Sequence, residues 1–174
     1  MDSILKTLAP KAFVLTALAG AFVLWAAGAR AGFITESIDN DIPGEVAAAA
    51  EDGKRLVIMF QQTGCPYCAK MRVRVFPDPK VVEFYSKYFV LIYSNIRGDL
   101  PVVAPDGKEM TEKELAYKLR VRATPVLMYF NKDGSEALKV TGFLDAERFN
   151  KAGQFVLDGV NKTATTFFRY LQTN

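Results

Sequence analysis

Three unbroken apolar runs stand out along the chain: Leu56–Phe60, Phe89–Tyr93 and Val126–Phe130, each bounded by polar or turn-forming residues. Runs of this length predict strands buried on both faces of a sheet. A fourth stretch, Leu138-Lys139-Val140-Thr141, alternates, and follows the turn Asn131-Lys132-Asp133-Gly134. It predicts an antiparallel partner for the third strand. Between the strands the apolar positions take helical spacing. Pro43 can open a helix with Val46, Ala47 and Ala50 on one face, ending at Gly53. Cys68 to Val75 reads as helix, broken near Pro77 and Pro79, and a further helix sets Val81, Phe84, Tyr85 and Tyr88 on one face. Ile96 to Lys108, with Gly98, Pro101, Pro105 and Asp106-Gly107, reads as a loop. Thr111-Glu112-Lys113-Glu114 fits a capping box, opening a helix with Leu115 and Leu119 inside. A last helix from about Asp145 carries Phe149, Phe155 and Val156 and is expected to continue past Gly159.

Helix-linked strands imply parallel pairing, and the final hairpin adds an antiparallel edge. The expected class is therefore α/β, a mixed central sheet with helices on both faces.

The N-terminus breaks this pattern. Ala12 to Ala29 is apolar all round and uncharged over 18 residues, preceded by Lys6 and Lys11 and followed by Ala29-Arg30-Ala31. That is the form of a secretory signal peptide with an A-x-A-like cleavage site. Its length also reaches the lower range of a membrane-spanning helix. Cleavage after Ala31 and an uncleaved anchor both remain open, and either exports the rest of the chain. The organisation expected is a signal or anchor over residues 1–31, a linker or loose arm over 32–42, and a folded domain with a helical C-terminal extension over 43–174. Membrane contact is then confined to the N-terminal segment.

Composition removes other classes. The 174 residues carry 22 Lys and Arg against 19 Asp and Glu, a net charge of +3 that is too balanced to argue for nucleic acid. With no histidine, Ser–His and Cys–His hydrolysis and histidine-ligated metal sites are out. Two cysteines cannot complete a four-ligand zinc site within one chain. Redox chemistry, a lone structural disulfide and metal carriage by a bare dithiol are left.

The cysteines stand as Cys65-Pro66-Tyr67-Cys68, directly after the first apolar run and at the start of a helix. A helix N-terminus presents free N–H groups and partial positive charge, which stabilise a thiolate. Cys65 is then the expected nucleophile, and Cys68 the resolving thiol that releases the partner from a mixed disulfide. Pro66 suits the first turn, where its missing N–H would have no partner anyway. A structural disulfide more usually closes a longer loop, where it constrains the unfolded chain more. A dithiol metal carrier fits the pair, but the strand–cysteine–helix placement favours redox.

The strand Leu56–Phe60, the segment Gln61–Met71 (Q-Q-T-G-C-P-Y-C-A-K-M) and Ala123-Thr124-Pro125-Val126 before the third strand together resemble the thioredoxin superfamily. The resemblance runs from about Pro43 to Leu157. It implies a thioredoxin fold, a cis-proline at Pro125 beside the cysteines, and a substrate strand held by Pro125 and the Thr124 backbone. Within the superfamily the F-Q-Q-T-G-C-P-Y-C segment of residues 60–68, the 96–108 loop with its Asp106-Gly107-Lys108, and Glu114-Leu115-Ala116 before V-R-A-T-P are similar to SoxW-like periplasmic thioredoxins of sulfur-oxidation clusters. The implied activity is protein-disulfide reduction in the periplasm. The implied partners are protein disulfide substrates and a membrane thiol-electron transporter as donor, with no cofactor beyond the Cys65–Cys68 pair and no metal. Two positions depart from the superfamily: Gly64 stands where tryptophan usually precedes the first cysteine, and Met59 where a buried acid serves the resolving cysteine.

Cys-Pro-Tyr-Cys also resembles glutaredoxins, but their diglycine after the third strand is replaced by Thr141-Gly142-Phe143. A DsbA-type oxidase carries a large helical insertion, for which Asn95 to Thr124 is too short. The alternative of another class is a non-catalytic dithiol chaperone for metal or haem proteins.

Overall fold

The computed structural model describes residues 32–37 and 39–173. The expected signal or anchor segment lies outside the described residues.

The elements, in chain order, are α1 (Ile42–Glu51), β1 (Arg55–Gln61), α2 (Pro66–Lys70) running into a π turn (Met71–Val75), α3 (Pro79–Tyr88) and β2 (Phe89–Asn95). There follow β3 (Pro101–Val103), β4 (Glu109–Thr111), α4 (Glu112–Lys118), β5 (Val126–Phe130), β6 (Glu136–Thr141), α5 (Ala146–Leu157), a 3-10 turn (Val160–Lys162) and α6 (Phe167–Thr173). Four strands make one sheet in the order β2-β1-β5-β6. β1 runs parallel to β2, from Arg55 opposite Phe89 to Gln61 opposite Asn95.

The apolar runs are strands because both of their faces are covered. Leu56, Ile58 and Phe60 face one side with Ile92 and Met128, beneath Ile42 and Val46 of α1 and Leu115 of α4. Val57 and Met59 face the other with Leu91, Leu127 and Tyr129, beneath Cys68, Met71, Val75, Tyr85 and Phe149. This second layer holds the cysteines. Its helices α3 and α5 pack very closely, since a Cβ on Gly153 would come within 2.5 Å of the Phe84 ring.

Four expectations are corrected. First, β5 is antiparallel to β1, with Phe60 opposite Val126 and Val57 opposite Tyr129. The seven residues of α4 rise about 10 Å, while β2 extends about 23 Å. The connection therefore cannot carry the chain back along the full strand, and β5 starts at the end of the sheet where β2 finishes.

Second, Phe33 to Thr35, within the expected linker, are packed and paired. Phe33 is 2% exposed, its ring packed on Phe76 and Tyr85 at 5.9 and 5.2 Å. The Leu91 N–H donates to the Phe33 carbonyl at 2.7 Å, and the Thr35 N–H to the Leu91 carbonyl at 3.0 Å. β2 is otherwise an edge strand with unpaired backbone groups, and this segment supplies the partner.

Third, the 96–108 loop contains β3, which pairs with β4 and buries Val102. Fourth, α5 does not continue past Gly159, which has a left-handed φ of 69° and ends it. The chain turns back instead, placing Phe167 and Tyr170 of α6 5.5 and 5.3 Å from the Phe155 ring.

Candidate active site

β1 ends at Gln61, and the chain turns sharply before α2. Gly64 has φ +77°, the left-handed region that disfavours any side chain. A tryptophan at this position would be strained, which accounts for the glycine. The Cys65 N–H donates back to the Gln62 carbonyl at 3.3 Å, closing the turn.

Cys65 caps α2, with Pro66 in the first turn. It is joined to Cys68 by a disulfide of S–S 2.02 Å and Cα–Cα 5.3 Å. The Cys68 N–H donates to Cys65 Sγ at 3.1 Å. The two residues are unequal in access, since Cys65 is 8% exposed and Cys68 0%. Met59 is wholly buried in the same apolar cluster as both cysteines. Position 59 is thus on the cysteine face of the sheet, with a thioether in place of an ionisable group.

The Thr124–Pro125 peptide bond is cis. Pro125 is buried and Thr124 half-buried, and the Pro125 carbonyl accepts from the Gly142 N–H at 2.8 Å. Because Val126 lies opposite Phe60, both residues sit at the end of the sheet from which the cysteine loop departs.

Two faces of α2 flank the pair. On one, Tyr67, 55% exposed, lies 6.3 Å from the Phe143 ring, and Lys70 Nζ stands 4.4 Å over the same ring. On the other, Pro66, Ala69 and Arg72 line an open groove of about 770 Å³ with Cys65, Gln61 and Tyr93. Arg72 Nη1 donates to Gln61 Oε1, and Arg97 Nε to Gln62 Oε1 at 2.9 Å. Burial pushes the Tyr93 phenol above its ordinary value, against the opposing pull of Arg72. The groove's far wall is braced by Glu112, 6% exposed, whose Oε1 accepts from the Asn95 N–H at 2.7 Å.

Of the residues expected at the site, Cys65, Pro66, Tyr67 and Cys68 lie together at the start of α2, and Thr124 and Pro125 precede β5 at the same end of the sheet. The structure adds Phe143, Arg72, Tyr93 and Arg97 to the surroundings of the pair. The three-residue spacing of Pro66, Ala69 and Arg72 was a usable signal for one of them. No local pattern points to Phe143 or Arg97.

A family profile described as a thioredoxin-like domain matches residues 42–157. The chain belongs to the thioredoxin-like domain family. Over 100 residues it is 29% identical to the thiol:disulfide interchange protein DsbD of Photorhabdus laumondii subsp. laumondii, covering 56% of this chain and 16% of that protein. The chain thus spans only a small part of this curated relative. Among solved structures, a thioredoxin-fold protein from Helicobacter pylori matches with a TM-score of 0.56 and 20% identity, over 74% of this chain and 91% of that one. A thioredoxin from Thermus thermophilus matches with a TM-score of 0.51 and 27% identity, over 66% of this chain and 82% of that one. The former shows the fold. The Cys65–Cys68 disulfide lies within the residues matched to this thioredoxin-like domain family.

Proposed function

We propose that the protein is an exported, periplasmic protein-disulfide reductase in which Cys65 attacks and Cys68 resolves. The carrying observation is the asymmetry of the pair: Cys65 keeps 8% exposure and receives the Cys68 N–H on its sulfur, while Cys68 is fully buried. In the reduced protein the Cys65 thiolate attacks one sulfur of the partner's disulfide. A Cys65–partner bond forms, the partner's bond breaks, and its other sulfur leaves as a thiolate that takes up a proton. Cys68, losing its proton, attacks Cys65 Sγ and expels the second partner sulfur. Two electrons have passed to the partner, and the Cys65–Cys68 disulfide is the product.

The position of Thr124 and Pro125 at this end of the sheet supports a role in holding the partner's chain. The Ala12–Ala29 run supports export. The likeness to a thiol:disulfide interchange protein supports a membrane thiol-electron transporter as the donor that re-reduces the pair. The SoxW-like segment of residues 60–68 supports a partner in periplasmic sulfur chemistry.

Trapping tests the reading. With Cys68→Ser, exported in its native host, the reaction should stall at the mixed disulfide and accumulate covalent complexes that reductant dissolves. Cys65→Ser should trap far less. Mass spectrometry of the complexes names substrate and donor. If neither variant traps a protein, or both trap equally, the assignment of roles fails.

A further inference from the structure

The groove beside Cys65 has a charge pattern that disulfide exchange alone does not require. One cation lines it, Arg72 from the π turn, and a second, Arg97 from the loop after β2, is bonded to the lining residue Gln62. They are held by consecutive residues, Gln61 and Gln62, where β1 gives way to the cysteine turn. Carboxamides orient a guanidinium without neutralising it, whereas a carboxylate at either position would form an internal ion pair.

Nothing else among the described residues neutralises these charges. The ion pairs formed there use Lys108, Lys113, Lys118, Lys139, Arg148 and Lys151, never Arg72 or Arg97. Asp99, close in sequence to Arg97, is taken by Lys113 at 2.5 Å. Glu112 is turned inward onto the Asn95 N–H. The groove lining contains no carboxylate. Both arginines are exposed, and a guanidinium has five N–H donors, so each keeps donors to spare after its glutamine. Planar forked donors of this kind match carboxylates in particular.

Resting on the reductase reading above, we propose that Arg72 and Arg97 form a selectivity rim, and that the disulfides reduced at Cys65 are polypeptide disulfides flanked by acidic side chains. A partner chain crossing Cys65 meets two unpaired cations on the groove side and, on the other, the Tyr67–Phe143 aromatic pair with the Lys70 ammonium over the Phe143 ring. The rim attracts the acidic partner and aligns its disulfide, and electron transfer still runs through the two cysteines. Basic partners are rejected by the same charges.

The test uses the reduced full-length protein and three peptide disulfides, matched except that the cystine is flanked by Glu, Gln or Lys. At low salt the Glu peptide should exceed the Gln peptide in kcat/KM by about tenfold, the scale of charge-assisted hydrogen bonds. The Lys peptide should be slower still, and added salt should compress the series. Arg72→Gln and Arg97→Gln should each lower the Glu-to-Gln ratio about threefold, and the double variant should bring it near unity. Reading the ratio cancels any change in Cys65 reactivity that the substitutions cause.

A ratio near unity in the unmodified protein, or one unchanged in the double variant, overturns the proposal while leaving the reductase reading standing. Failure to reduce any of the three peptides overturns the reductase reading, and this proposal with it. Glutathione disulfide, a small carboxylate-bearing disulfide, is the remaining arm. Its reduction at the rate of the Glu peptide would assign the rim to small molecules and overturn the polypeptide assignment.

Discussion

The backbone N–H of Cys68 donates to the sulfur of Cys65 at 3.1 Å. After reduction the same amide, at the positive end of the helix, faces a thiol that gains from ionising. Cys68 is one turn further in and has no exposed surface. The Cys65 thiol should therefore ionise below the value of about 8.5 typical of free cysteine. Iodoacetamide should label it at least about tenfold faster than Cys68 near neutral pH, since the thiolate is the reactive form. Peptide mapping of the reduced protein across a pH series reads both rates. Equal labelling would remove the basis for separate roles.

What the sequence discloses and what it conceals divide along range. Leu56–Phe60 and the Cys65-Pro66-Tyr67-Cys68 turn were legible because a buried strand and a helix start are local patterns. The direction of β5 was not, because it depends on how far α4 and the β3–β4 hairpin carry the chain. Phe33 gave no warning of burial, being a lone aromatic in a polar stretch without periodicity. Arg72 and Arg97 acquire meaning only through Gln61 and Gln62, 11 and 35 positions away. Gly64 and Met59 were visible as departures from a family pattern. The left-handed φ explains the first, and the second is confirmed only in its placement on the cysteine face.

Phe33 carries a prediction of its own. Phe33→Ala should destabilise the domain by about 3–4 kcal/mol, the usual range for a large buried aromatic. Loosening the segment should also expose the β2 edge, because the Leu91 N–H bonds to the Phe33 carbonyl. Hydrogen exchange at the Leu91 amide should accelerate well beyond that of the amides of β5, which lie inside the sheet. Unchanged Leu91 exchange would mean that the segment adds no protection to the edge.

Met59 allows the environment of the resolving step to be changed by design. Met59→Asp would bury a carboxyl against Leu127 and the cysteine pair, and desolvation should raise its pKa. The pH–rate profile should gain a titration absent from the unmodified protein, with faster resolution as the carboxylate forms and accepts the Cys68 proton. A stability loss of about 3 kcal/mol or more should accompany it, since a polar group enters an apolar cluster. Met59→Leu controls for packing and should leave the shape of the profile alone. Identical profiles for Met59→Asp and Met59→Leu would place position 59 out of reach of the cysteines.

The last prediction concerns Tyr85 and Tyr129, whose hydroxyls lie 2.8 Å apart in the layer that carries the cysteines. Tyr85 donates to the Phe149 carbonyl at 2.6 Å, so the shared hydrogen bond takes its proton from Tyr129. Burial raises both phenols above their ordinary value of 10.0, Tyr85 well above it. In the unfolded chain both ionise near pH 10, while the folded protein keeps both protons. The unfolded state then binds fewer protons, so stability falls as pH rises from about 10 toward the higher folded values, by about 1.4 kcal/mol per pH unit for each tyrosine. Below that window the pair contributes in full. Tyr129→Phe removes one titrating group and leaves the Tyr85–Phe149 bond in place. It should cost about 1 kcal/mol at pH 7 and make the alkaline fall shallower by about 1.4 kcal/mol per pH unit. Tyr85→Phe should be worse at pH 7, by about 1–2 kcal/mol, because it strands the buried Tyr129 hydroxyl. Urea unfolding at pH 7, 10 and 11 reads all three proteins. Parallel alkaline slopes for the unmodified protein and Tyr129→Phe would show that Tyr129 does not hold its proton in the folded state as this geometry requires.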